Sequence, residues 1–332
     1  MSALKTVLVG FGKVADTMRY DARMSRYFPD ATHAQVLARH DSFDWIAVVD
    51  PSVEALKRAS VEWNIGSCVA RIADLEGRET IEAAVIATPP GDRHAILDEL
   101  PGLRALLVEK PLGGTAEEAK TFVEACKKRD IVVQVNYWRR AVPAFRKLAS
   151  GGLDEEVGNV QVVHGLYGNG LLNNGSHLVD FLRMLCGEIE GVDGCGRSYD
   201  AKMSSVPGDM QTACLLQLAN GTHAVMMPVD FKAWREVGLD IWGTKGRLSV
   251  LQEGLTIARY QVAENRGVEN EMEIDSSSVD VRDVDVSSCL QGMYDSLAGA
   301  VSGRCALLSP ADEALASELT IHEIVARTRE SA

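Results

Sequence analysis

The chain has 332 residues, a formal net charge of −13 and seven cysteines. That length fits two domains, each able to bury a core, and the acidic balance argues against a nucleic-acid or anionic-membrane partner. No apolar run approaches the roughly 20 residues that span a bilayer, the first apolar stretch lacks a signal-peptide pattern, and the scattered cysteines form no C-x-x-C pair; reduced thiols in a cytoplasmic protein are expected, without a metal site or a disulfide framework.

Residues 5–15 read as a short apolar strand running into Gly10, Phe11, Gly12, Lys13, Val14 and Ala15. In a dinucleotide-binding turn, Gly10 would permit the sharp reversal and Gly12 would let a pyrophosphate approach the backbone. Ala15 would pack closely at the start of a helix whose N–H groups face the phosphates. Such a pattern alone can also be only a turn. A long excursion follows at 16–29, then a helical run at 32–39. Residues 45–49 read as a second buried strand ending at Asp50 and Pro51. A carboxylate at that place binds adenosine ribose hydroxyls and repels a 2′-phosphate, favouring NAD over NADP. The bland alternative is a turn residue before proline.

A third strand at 83–87 closes on Thr88, Pro89 and Pro90, and a helix is expected over 93–99. The strand at 103–108 leads into Glu109, Lys110, Pro111 and Leu112. Thr115 and Glu118 form a capping box for a helix reaching 128, and 131–137 is again a strand. This alternation predicts a parallel, doubly wound sheet, a Rossmann-type domain over residues 1–138. Ligands of such sheets bind outside the carboxyl ends of the strands, where Gly10, Asp50, Thr88 and Lys110 all fall.

Residues 139–332 change character. Strand-like stretches at 159–164, 211–218, 222–227, 238–242, 247–251 and 255–262 follow one another with little helix between them. Asn220-Gly221 is a strong hairpin signal. The prediction is a large, mainly antiparallel sheet. Ala213, Leu215, Gln217 and Thr222, Ala224, Met226 alternate as a face that would meet another subunit. Within a helix at 176–185, Leu178, Phe181, Leu182 and Leu185 make a core stripe; His177 lies at its edge and Asp180 a step outside, so both would face a cleft. The acidic, Ser-rich stretch 265–285 reads as an exposed connection with one irregular strand. Two helices joined around Ser309-Pro310 close the chain and are free to pack back on the first domain.

Taken together, Gly-Phe-Gly-Lys-Val-Ala, Val-Val-Asp50-Pro, Ala-Thr88-Pro89-Pro, Glu109-Lys110-Pro111-Leu, Arg140, Gly175-Ser-His177-Leu-Val-Asp180 and Trp242-Gly-Thr-Lys-Gly246 resemble the family of glucose-fructose oxidoreductase, inositol dehydrogenase and MocA. The resemblance covers nearly the whole chain. It implies an NAD(P)-binding Rossmann domain followed by an α/β domain with a large, open-faced, mainly antiparallel sheet that binds substrate and commonly forms the oligomer interface, in a homodimer or homotetramer. The implied activity is NAD-dependent hydride transfer on a hydroxyl or carbonyl of a sugar, sugar phosphate, nucleotide sugar or cyclitol. Lys110 and His177 would handle the proton. His94 matches a family histidine beside the cofactor, and His33 matches a further family position that reads as structural. Tyr167, Asn173, Asp180 and Arg140 fall on the substrate side.

Each of these has a plainer reading. Lys110 could be a surface lysine in a tight turn, His177 a satisfied histidine at a helix start, Tyr167 core material, and Arg140 a structural ion-pair partner. Two departures from the family pattern stand out: Asn173 occupies the place of an aspartate four residues before the histidine, and the stretch 158–173 is short. Two rival readings are a non-catalytic dinucleotide-binding regulatory protein on the same fold and a reductase of imines or conjugated double bonds.

Overall fold

Val7, Val9, Ala84, Ile86, Leu106 and Val108 pack into one buried cluster, whereas Leu8, Val48, Ala83, Val85, Ala105 and Leu107 pack into another. Successive strand residues point to opposite faces, so this division marks a sheet covered on both sides. The computed structural model describes residues 2–91 and 93–330 and divides into two compact units, Met1–Ala141 with Val286–Ala316, and Val142–Asp285 with Ser317–Ala332.

The first unit holds β1 (Leu4–Val9), β2 (Phe43–Val49), β3 (Ser67–Val69), β4 (Ala83–Ile86), β5 (Ala105–Val108) and β6 (Val132–Val135) in the order β3-β2-β1-β4-β5-β6. Every pairing is parallel, which is the doubly wound order. Helices Val53–Trp63, Arg93–Glu99 and Ala116–Lys128 connect strands. Thr115 caps the last of these by accepting from Glu118 N, while the Glu118 carboxylate accepts from Gly114 N at 2.8 Å. Helix Cys289–Val301 belongs to this unit, and its Met293, Tyr294 and Leu297 complete the cluster around Leu8.

One expected element is missing. No regular α-helix follows the glycine turn: Asp16 N and Met18 N make helix-like bonds to Gly12 O and Lys13 O, both at 2.9 Å, and the chain then passes into a 3-10 turn, Thr17–Tyr20. The reason is Asp16, whose fully buried carboxylate accepts from Arg19 Nε at 2.8 Å, Arg58 Nε at 3.1 Å and Trp63 Nε1 at 3.0 Å. The excursion is therefore tied to helix Val53–Trp63 by a buried charge. Helix His33–Leu37 follows, with Thr32 accepting from Gln35 N at its cap.

In the second unit lie β7 (Val160–Tyr167), β8 (Ile189–Cys195), the short pair β9 (Tyr199–Asp200) and β10 (Met210–Gln211), β11 (Cys214–Leu218), β12 (His223–Pro228), β13 (Gly238–Gly243), β14 (Gly246–Leu251), β15 (Thr256–Glu264) and β16 (Met272–Asp283). The large sheet runs β16-β15-β14-β13-β7-β12-β11-β8. Its pairings are antiparallel except for β7 with β12, which is parallel. Helix Ser176–Cys186 and strands β8 and β11 intervene in sequence between these two, so the chain returns to β7 in the same direction. The acidic stretch after residue 265 contains a long edge strand, β16, with a register shift opposite Tyr260/Val262.

Register also corrects the expected open face. Leu215 pairs with Val225 and Leu216 with Ala224, and directly paired residues share a face. Ala224 and Met226 are buried, while Leu215 and Met227 are exposed. The open face therefore presents Leu215, Gln217, Val225 and Met227, and the Ala224/Met226 set faces the core.

Candidate active site

Four strand ends of the first unit converge. Gly10 N donates to Val49 O and Ala87 N to Val9 O, both at 2.8 Å, so the chain turns away only after β1 has been held on both sides. Gly10 has φ +88°, and a Cβ there would lie 2.9 Å from the backbone of Ala87 and from Thr88 Cγ2; the turn and the contact with the end of β4 both require glycine. Gly12 differs, since a Cβ on it would meet nothing within 4 Å. Phe11 and Ala15 are buried, Lys13 is exposed and Val14 half-buried. The turn thus leaves its Gly12 backbone open to a ligand while anchoring its apolar side chains inward.

Asp50 stands beside this turn. Its Oδ2 accepts from Phe11 N at 2.6 Å and its Oδ1 from Ser52 N at 2.8 Å. It is both the turn residue of the plainer reading and a carboxylate docked on the glycine turn, since each oxygen keeps a lone pair. Pro51 and Pro89 are exposed. Arg58 donates to Phe11 O at 3.2 Å as well as to Asp16, which commits its guanidinium to the protein.

Glu109 and Lys110 follow β5. The half-buried Glu109 carboxylate accepts from Asn136 Nδ2 at 2.6 Å and lies 3.1 Å from His33 Nε2, whose Nδ1 is 2.8 Å from Tyr294 OH. Burial works to raise the Glu109 carboxyl, but the His33 hydrogen bond and charge, the Asn136 amide and the Lys110 ammonium outweigh it and hold the carboxyl below its ordinary value. Burial raises the Tyr294 hydroxyl well above its own, and because the Glu109 carboxylate can only accept, His33 Nε2–H donates to it. His33 is thus structural, as its family position suggested, but it also acts one residue from Lys110. Arg93, missed in the sequence, is nearly fully buried and donates to Glu109 O at 2.9 Å and Thr88 O at 3.5 Å, tying the ends of β4 and β5 together. A lone arginine after Pro-Pro-Gly gives no local signal of that role.

The remaining expected residues of this unit turn elsewhere. His94 Nε2 lies 3.1 Å from Thr121 Oγ1, between helices Arg93–Glu99 and Ala116–Lys128. Arg140 forms an ion pair with Glu313 at 3.6 Å, inside the same unit. Its guanidinium is mostly buried.

In the second unit, β7 ends at Tyr167 and a π-helical turn, Leu171–Gly175, leads directly into helix Ser176–Cys186. Tyr167 is wholly buried: its hydroxyl donates to Thr212 O at 2.7 Å and accepts from Thr212 N at 2.9 Å. Burial raises this hydroxyl well above its usual value, so Tyr167 braces β7 rather than offering a free group to substrate. Asp180 also departs from expectation, being 1% exposed, with Ser317 Oγ 3.3 Å from its carboxylate. Ser317 lies on helix Ala311–Glu330 and meets Asp180 on the side that the helical period left outside the core stripe. His177 is half-buried.

Asn173 sits in the π-helical turn with its backbone N–H 3.2 Å from Asp209 Oδ2; Leu172 N is 3.0 Å from Oδ1. Asp209, buried, also accepts from Ser204 Oγ at 2.7 Å and Met210 N at 2.9 Å. It is a second residue the sequence did not single out, because the two backbone N–H groups it holds in the turn lie 37 and 36 residues away. Among the described residues, no cluster of His, Cys, Asp and Glu is placed to hold a metal, and no helix is long and apolar enough to cross a membrane.

Residues 4–137 match the family model described as "Oxidoreductase family, NAD-binding Rossmann fold", and residues 156–249 match the GFO/IDH/MocA C-terminal domain. Trans-1,2-dihydrobenzene-1,2-diol dehydrogenase of Mus musculus is 25% identical over 197 residues, covering 54% of this chain and 58% of its own length. The rhizopine catabolism protein MocA of Rhizobium meliloti is 24% identical over 235 residues, covering 64% and 72%. Among solved structures, the WlbA dehydrogenase from Bordetella pertussis, in complex with NADH and UDP-GlcNAcA, aligns over 99% of this chain and 98% of its own with a TM-score of 0.72 and 19% identity. Oxidoreductase yvaA from Bacillus subtilis aligns over 99% and 97% with a TM-score of 0.75 and 15% identity. At those identities the structural likeness speaks to the fold.

Proposed function

Because the chain belongs to the GFO/IDH/MocA family of oxidoreductases, we propose that it transfers a hydride between a nicotinamide dinucleotide, NAD rather than NADP, and the hydroxyl or carbonyl carbon of a sugar, sugar phosphate, nucleotide sugar or cyclitol. One observation carries this reading. At the ends of β1, β2 and β5 an open glycine turn, a carboxylate hydrogen-bonded to that turn, and a lysine beside a half-buried, hydrogen-bonded glutamate stand together in one unit.

When bound, the dinucleotide supplies or accepts the hydride. Everything else falls to the chain. Backbone N–H groups of residues 12–15 would hold the phosphates, and the spare lone pairs of Asp50 would take the ribose hydroxyls. Lys110 gives a proton to the substrate oxygen in reduction and removes one in oxidation. His177 is the second proton carrier, the smaller one, because Asn173 cannot stabilise an imidazolium as a carboxylate would. The names of the relatives, a diol dehydrogenase and a 1,5-anhydro-D-fructose reductase, support chemistry on an oxygen-bearing carbon.

Nicotinamide absorbance, followed across a panel of polyols, sugar phosphates, nucleotide sugars and inositols, tests the reading. On the substrate so found, Lys110→Ala should lose about 10²- to 10⁴-fold in turnover with the NADH Kd unchanged, and His177→Ala should lose less. Near-normal turnover of Lys110→Ala would overturn the mechanism. A dimer or tetramer joined through the Leu215/Met227 face belongs to the same proposal; a monomer by light scattering at micromolar concentration would refute it.

A further inference from the structure

All seven cysteines are free thiols, but two of them stand opposite each other in the second unit. Cys195 ends β8, Cys214 opens β11, and the register pairs them directly. One step beyond this pair, Gly196 N donates to Ala213 O at 2.7 Å. Hydrogen-bonded and non-hydrogen-bonded pairs alternate along an antiparallel ladder, so Cys195 and Cys214 occupy a non-hydrogen-bonded position, where Cα atoms lie about 4.5 Å apart and side chains come closest. A disulfide spans Cα separations of about 4.4–6.8 Å. Rotating the two side chains is therefore enough to join this pair, with the backbone left in place. Among the described residues, none of the other strand pairings sets two cysteines opposite each other.

The two thiols differ in access and in acidity. Cys214 is buried and pairs with Met226 on the core face of the sheet. Burial, with Cys195 adding to it, pushes the Cys214 thiol up to about 12, which unfits it to attack first. Cys195 is half-buried on β8, the last strand of the sheet, and its Sγ lies 3.8 Å from Ile324 O of the same unit. An edge strand gives a small molecule an approach that a central strand does not. The pair faces away from Leu215 and Met227, so it is separate from the face proposed above to meet another subunit.

We propose that Cys195 and Cys214 form a reversible dithiol–disulfide site, closed by a low-molecular-weight disulfide such as oxidised glutathione. The Cys195 sulfur attacks one sulfur of the incoming disulfide: a new S–S bond forms, the old one breaks, and one small thiol leaves with the proton that Cys195 gave up. Cys214 then attacks the Cys195 sulfur of the mixed disulfide, and its proton leaves with the second small thiol. Two electrons pass from the protein to the small disulfide, which departs as two reduced thiols. A Cα separation at the short end of the bridging range makes the bond easy to reduce again. Its effect is on the excursion at 196–213, whose neck is the Gly196–Ala213 bond together with Thr212 Oγ1 donating to Gly196 O at 2.8 Å. That excursion carries Asp209, which holds the turn before His177, and Thr212, which holds the Tyr167 hydroxyl. Oxidation fastens its neck covalently. The site does not depend on the activity proposed above.

For the test, the full chain is incubated with oxidised glutathione without denaturant, alkylated with iodoacetamide and digested without reduction. Mass spectrometry should find a peptide pair linking Cys195 to Cys214 that dithiothreitol abolishes, and the oxidised chain should melt about 5 °C above the reduced one. Cys214→Ser should stop at a mixed disulfide of glutathione with Cys195, and Cys195→Ser should leave Cys214 reduced. A native chain without the linked peptide, a link that forms only in denaturant, or glutathione retained on Cys214 in Cys195→Ser would overturn the proposal. An unchanged melting temperature would overturn the fastening of the neck. Should the buried Cys214→Ser fail to fold, the native chain and Cys195→Ser decide.

Discussion

Replacing His33 with leucine tests whether the chain Tyr294–His33–Glu109 holds the first unit together beside Lys110. Two contacts vanish: the charge-assisted bond to Glu109 at 3.1 Å and the Tyr294 bond at 2.8 Å. Hydrogen bonds to charged groups are worth about 1.5–3 kcal/mol and neutral ones about 1 kcal/mol. His33 and Glu109 are 1% and 13% exposed, so water cannot readily replace the lost partner. Leucine recovers part of this by burying apolar surface, leaving a net loss of about 2–3 kcal/mol. For a unit of about 170 residues, each kcal/mol moves Tm by about 2–4 °C, and the transition should fall by roughly 5–10 °C at pH 7.5. The pH dependence has a definite sign. Glu109 has a lowered folded pKa, so its contribution is present above the unfolded value of about 4.3 and is lost as pH falls through the folded value. In the variant only Asn136 and Lys110 remain to oppose burial, and the carboxyl titrates higher. The stability gap should therefore narrow as pH drops through the variant's value toward the wild type's. Differential scanning calorimetry across that range, with carbon-13 NMR on the Glu109 carboxyl, reads both effects. A Tm change under 1 °C at pH 7.5, or identical Glu109 titrations, would refute the reasoning.

Two further outcomes follow from the same strand ends. Asp50→Ser removes the negative charge docked on the glycine turn, so NADH should bind the native protein more tightly than NADPH and the gap should shrink in the variant; tighter NADPH binding by the native chain would sink the assignment. Gly10→Ala forces a Cβ against the Ala87 backbone at positive φ and should destabilise the fold by about 1–3 kcal/mol, whereas Gly12→Ala should leave Tm within about 1 °C and weaken dinucleotide binding instead. Equal effects of the two on Tm would show that Gly12 is structural.

The sequence by itself determined the first sheet and its strand ends, because buried parallel strands are continuous apolar runs separated by helices, and the residues after each run must lie at one edge. Gly10, Asp50, Thr88 and Lys110 were placed together on that ground. It also determined the Thr115 cap, the Asn220-Gly221 hairpin and the core stripe of helix Ser176–Cys186, all written within a few neighbouring residues.

What only the tertiary structure decided depends on side chains that meet across long separations. Asp16 ends the expected helix because Arg58 and Trp63, 42 and 47 residues on, are there to receive it. His33 reaches Glu109 across 76 residues and Tyr294 across 261, and no local period records such a meeting. Asp180 has the spacing of a cleft residue and Tyr167 falls on the substrate side of the family pattern, yet Ser317 and Thr212 occupy their polar atoms. The open face of the second sheet was misassigned for a related reason. Alternation tells which residues of one strand share a face, but only the pairing of Leu215 with Val225 tells which faces of two strands are the same.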